Sequence, residues 1–121
     1  MENMENEKPN SEYAMLNNKI FQLDTKMDDE KKKIKQIEEL QEQVTNLNKN
    51  LSICIALLAK SMRGPTTQNM FNDMYNNNQS FYKCMTASLE EESLEIQKSI
   101  GKLLDEKENA IKEYKEKLKE E

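Results

Sequence analysis

Cys54 and Cys84 are the only soft nucleophiles in this chain, and there is no histidine to activate either of them. Histidine is the commonest general base and the usual partner of a nucleophilic Ser or Cys, so its absence removes most acyl-transfer and hydrolytic chemistry. Two thiols without histidine also fall short of the four nitrogen or sulfur ligands of a structural zinc site. Carboxylates stand in groups at Asp28-Asp29-Glu30, Glu38-Glu39 and Glu90-Glu91-Glu92, but each group lies in a charged stretch with no apolar setting to divide acid from base. The two glycines, Gly64 and Gly101, are too far apart for a phosphate-cradling loop. No catalytic, metal-binding or cofactor-binding residue is expected, and no enzymatic activity.

Lys31, Lys32, Lys33 and Lys35 form the single basic cluster, enclosed by Asp28, Asp29, Glu30, Glu38 and Glu39. Nucleic-acid binding needs a dominant basic face, and here the charges pair off as a solvated helix surface. The net charge is −5 at pH 7. The longest apolar run, Ile53 to Ala59, is far below the roughly 20 residues that span a bilayer, and the first residues carry no apolar signal stretch. The acidic termini and the lack of a basic amphipathic face also argue against a membrane-surface helix. An intracellular, cytoplasmic protein with free thiols is expected, or one enclosed in a particle assembled inside a cell.

The elements that carry these residues are helical. From Tyr13 to Met62 a seven-residue beat runs without Gly or Pro: Tyr13, Ile20, Met27, Ile34, Gln41, Asn48, Ile55 and Met62 share one position, and Leu16, Leu23, Glu30, Ile37, Val44, Leu51 and Leu58 the position three residues on. Apolar residues fill this pattern except at Gln41, Asn48 and Glu30, which is the signature of a coiled-coil or bundle seam. Residues 1–10 read as a disordered acidic leader, with Asn10 or Ser11 capping a helix over about 11–62. Gly64-Pro65 stops it. Residues 63–80 are a connector whose later part has two readings. Met70, Met74 and Phe81 keep helical spacing, whereas Asn76-Asn77-Asn78 is a run of weak helix formers. A second helix follows to about 119, with a fraying charged end and an apolar stripe of Leu89, Ile96, Ile100, Leu103, Leu104, Ile111, Tyr114 and Leu118. Gly101 within it marks either the close approach of a neighbour or a tolerated cost.

Beyond Ile37 the stripe widens to include Leu40, Leu47 and Cys54. Either the seam shifts to Leu40, Val44, Leu47, Leu51, Cys54 and Leu58, or the original beat continues with Gln41 and Asn48 inside. Both imply more than one contacting helix there. Ser52–Ala59, apolar around most of its circumference, should be the centre of an oligomer or the most enclosed part of a bundle. Asn48 is the candidate for setting register. In a hairpin turning tightly at Gly64-Pro65, facing residue numbers sum to about 130. A longer loop raises that sum and separates Glu90–Glu92 from Glu38 and Glu39, which favours the loop. In neither register do Cys54 and Cys84 meet.

The expected fold is therefore all-α: two long helices, about 11–62 and 67/80–119, in a hairpin or extended coiled coil that self-associates into a bundle. The expected partner is the chain itself, as a trimer or tetramer rather than a dimer, together with another protein. Contact would be made by Ile20, Leu23, Met27, Ile34, Ile37, Leu40, Val44, Leu47, Leu51, Cys54, Ile55, Leu58 and Met62 of the first helix. The second would contribute Met70, Met74, Phe81, Met85, Leu89, Ile96, Ile100, Leu103, Leu104 and Ile111. The function expected of such a chain is structural: a scaffold or assembly protein, such as a component of a viral or microbial particle. The alternative is a small helical chaperone or adaptor that captures a partner helix along an apolar groove. Two long helices of this length are similar to those of a prefoldin-type chaperone, but residues 63–80 lack the alternating β-branched pattern its hairpins need, and no family is assigned.

Overall fold

A computed structural model describes residues 2–120, and the side chains of 11–120. It is an all-α helical hairpin of two long elements, α1 (Glu2–Ser61) and α2 (Pro65–Lys119), packed antiparallel. The disordered leader expected at residues 1–10 lies where side chains are not described, and α1 shows no boundary at Asn10 or Ser11.

The turn occupies only residues 62–64. Met62 N still donates to Leu58 O at 3.0 Å, and Gly64 then takes φ of 142°. Pro65 follows as the first residue of α2, where its fixed φ suits a helix start and its missing N–H costs nothing. Gln68 N donates to Gly64 O at 3.0 Å, while the Gln68 side chain reaches back to Ala59 O and Met62 O at 3.0 and 3.1 Å. One side chain of α2 thus satisfies two carbonyls that the end of α1 leaves open.

The longer loop register is overturned, and residues 66–80 are helical. Facing partners such as Tyr13–Lys117, Asp24–Lys107, Thr45–Tyr82 and Asn48–Asn78 have numbers that sum to between 126 and 131, the value for a tight turn. The repulsion expected to forbid this register is absent for a simple reason. Glu38, Glu39 and Glu90–Glu92 are all exposed, so they project into water instead of facing one another across the seam. The asparagine run is also accommodated, because the Asn78 side chain bonds across to α1 instead of competing for its own backbone.

The chain divides into two compact units. One comprises α1 up to Lys33 and α2 from Glu95. Here Leu16, Leu23 and Met27 are buried, with Leu23 at 4 % exposure, and Ala110 of α2 is the most enclosed residue at 2 %. Ile20, Ile96, Ile100, Leu103 and Ile111 are half-buried at the same seam. Tyr13 donates its hydroxyl to Lys117 O at 2.9 Å and meets Tyr114 edge to face at 5.3 Å. Lys107–Asp24 and Lys117–Glu12 are ion pairs between the helices at 2.6 and 3.2 Å. Leu104 and Leu118, expected in the stripe, point outward and are exposed.

The other unit is Ile34–Leu94. Its seam keeps the heptad beat through Ile34, Ile37, Gln41, Val44 and Asn48, then steps by four to Ser52 before Ile55 and Ala59. Ile37, Ile55, Phe71 and Leu89 are its buried apolar residues. Phe71, at 4 % exposure, closes the core next to the turn.

Candidate interaction face

The Ile34–Leu94 unit distributes its polarity against the usual rule. Its internal seam carries a layer of amides and a hydroxyl. Asn48 Oδ1 accepts from Asn78 Nδ2 at 3.0 Å and from Gln79 Nε2 at 3.4 Å, and both amides also reach Ser52 Oγ at 3.3–3.4 Å. Thr45 Oγ1 and the Tyr82 hydroxyl lie 3.3 Å apart beside this layer. Each of these half-buried amides has a partner across the seam, where water reaches only part of it.

Several residues that the heptad pattern suggested as seam lie outside it. Leu47 is 54 % exposed, Leu51 42 % and Phe81 60 %, and Leu40, Leu58, Met62, Met70 and Met74 are exposed to similar degrees. Of the two readings of α1 beyond Ile37, the original beat holds only as far as Asn48: Gln41, Val44 and Asn48 face α2, Ser52, Ile55 and Ala59 then take over the seam, and Leu40, Leu47, Leu51, Cys54 and Leu58 form a second stripe beside it. On α2, Met70, Met74 and Phe81 form the matching stripe, with Met85 half-buried at its edge. In an antiparallel pair the two stripes lie on the same side of the hairpin. A groove of about 240 Å³ between them has Val44, Leu47, Leu51, Phe81 and Met85 in its walls and Asn48, Asn78 and Tyr82 at its base.

The segment Ser52–Ala59, expected to be enclosed on all sides, buries only Ile55 within one chain; Ile53, Leu57 and Leu58 are exposed. Asn48, the candidate for setting register, sits on the seam between α1 and α2. Sequence reasoning missed its partners Asn78, Gln79 and Ser52, and missed Gln68 as a cap. The available signal was the step of seven from Phe71 to Asn78 and four to Tyr82, which puts Asn78 in line with the core of α2.

Chemistry finds little purchase elsewhere. Cys54 and Cys84 are free and exposed. Among the described residues, no three or more His, Cys, Asp or Glu side chains gather where they could hold a metal ion. Glu30, at a seam position, is half-buried and paired with Lys33 at 3.0 Å, on the rim of a shallow depression with Lys26, Asp29, Ser99 and Leu103. No described helix is long and apolar enough to cross a membrane. Compared with models of known families, with curated proteins and with solved structures, the chain matches none.

Proposed function

We propose that this chain is a non-enzymatic, self-associating helical scaffold whose assembly is held by the apolar face of the Ile34–Leu94 unit. The observation that carries the reading is the inversion just described: an amide layer sits inside the seam while leucines, methionines and a phenylalanine stand in water. Contiguous apolar surface of this extent marks an association site on a soluble protein. The sequence pattern suggested a core of three or four helices, read there as three or four chains. Each chain brings two helices, so two chains complete a four-helix core. Free thiols suit a reducing, intracellular setting.

Sedimentation equilibrium at low micromolar concentration tests this. A two-chain species is expected; a monomer throughout that range sinks the proposal. The groove between Leu47 and Phe81 favours a second reading, an adaptor that receives a partner's helix. That reading takes over if the isolated chain is a folded monomer that gains order only with a partner.

A further inference from the structure

We infer that the occupant of this face is a second copy of the chain, laid across it antiparallel with the two turns at opposite ends. The inference rests on the self-association reading and adds the geometry of the assembly. A two-fold interface must be self-complementary, so that when residue i meets j, j also meets i. On the α1 stripe the exposed leucines are Leu40, Leu47, Leu51 and Leu58, with exposed Leu57 off it by helical position, and their spacing of seven, four and seven reads the same in both directions about residue 49. On α2 the apolar residues Met70, Met74, Phe81 and Met85 are spaced four, seven and four, symmetric about a point between Asn77 and Asn78. These centres were found separately, yet the hairpin brings them to one level: Asn48 bonds Asn78 and Gln79 there. A two-fold axis through that layer places Leu40 on Leu58 and Leu47 on Leu51 of the second copy. The same axis places Met70 on Met85 and Met74 on Phe81.

Charge chooses the same arrangement. The face itself carries no ionised residue between Leu40 and Leu58 or between Met70 and Met85, since Glu42, Lys49, Asp73 and Lys83 all lie off it by helical position. The ends of the unit differ in sign. Toward the turn stand Lys60 and Arg63 against Asp73, with Lys49 at the centre. At the other end Glu38, Glu39, Glu42 and Glu90–Glu92 stand against Lys35 and Lys83. All of these are exposed. Turns at opposite ends lay basic on acidic twice over, whereas turns side by side lay like on like. Such exposed charges set orientation more than affinity. The area also suffices. Leu40, Leu47, Leu51, Leu58, Met70, Met74 and Phe81 are each 42–60 % exposed, enough large apolar side chains for the centre of a standard interface that buries roughly 800 Å² on each partner.

The test begins from a cysteine-free chain carrying Cys54→Ala and Cys84→Ala. Leu40→Cys and Leu58→Cys proteins are prepared separately, mixed, and treated with a short bis-maleimide spanning about the 8–10 Å between packed helices. A Leu40→Cys/Leu58→Cys heterodimer is expected, with little homodimer from either protein alone, because like positions lie about 27 Å apart at 1.5 Å per residue. Because leucine loss could weaken the contact, a second measurement avoids the face: a spin label on Thr66→Cys, beside the turn, should give a separation of about 35 Å between copies. A sedimenting dimer whose labels lie within about 20 Å overturns the antiparallel geometry and leaves self-association standing. A monomer with no dipolar signal overturns both.

Discussion

At Gly64 the backbone has φ of 142°, a conformation that L-residues adopt only under strain. A Cβ added there would lie 3.8 Å from Thr67 Oγ1, which is ordinary contact, so any cost of substitution is conformational and not a clash. Gly64→Ala should therefore lower unfolding stability by about 1–3 kcal/mol, read by urea titration followed by circular dichroism. Gly101 has nothing within 4 Å of an added Cβ and sits in mid-helix. Close approach of a neighbour, one of the two reasons the sequence offered for it, has no support within the chain. Gly101→Ala should raise stability by about 1 kcal/mol in the same titration. A loss there would mean that a second chain packs against that position. The two glycines look alike in sequence, and only φ and the surrounding space tell them apart.

For the elements, the heptad beat in α1 was legible because Ile20, Leu23, Met27, Ile34 and Ile37 are apolar at every step but Glu30 and no second stripe competes for the seam. Past Ile37 two stripes of similar hydrophobicity run side by side, and periodicity alone does not say which one meets α2. The deciding terms are the tight turn and the amide pair together: Gly64 and Pro65 limit the register to a few neighbouring values, and the one adopted sets Asn48 opposite Asn78. Given this pairing, a buried amide left alone would cost about 1–3 kcal/mol, so both amides must turn inward together. Leu40, Leu47 and Leu58 are then rotated out. The layer also makes a prediction. Asn48→Ala should destabilise the hairpin by about 1–3 kcal/mol, since Asn78 and Gln79 lose their shared acceptor. Asn48→Leu with Asn78→Leu should instead match or exceed the parent's stability while relaxing the register. Cross-linking between cysteines placed along α1 and α2 would show that relaxation as several accepted pairings in place of one. A single pairing retained in the double variant would assign the register to the turn alone.

For the whole molecule, the balance between internal and external packing is the quantity to measure. The hairpin places its amides inside and a large share of its bulky apolar side chains outside, so a single chain leaves much of its hydrophobic stabilisation unrealised. If a second chain supplies the remainder, folding and association are linked, and the melting temperature must rise with protein concentration by mass action. Leu47 and Leu51 test this linkage best, because both are half-exposed in one chain and both lie near the proposed two-fold axis. Leu47→Glu with Leu51→Glu would gather four carboxylates at the centre of the assembled face without burying any charge inside the hairpin. Association should weaken by at least about 100-fold, or roughly 3 kcal/mol. The melting temperature of the variant should be independent of concentration, with helical circular dichroism retained in the cold. If helicity is lost along with assembly at every concentration, the lone hairpin is not stable, and the chain folds only as it associates. If size and melting behaviour both match the parent, the apolar face is not the site of assembly. Dilution of the parent separates that case from a helix broken by the substitution itself, since only a chain that folds as it associates loses helicity when the unsubstituted protein is diluted.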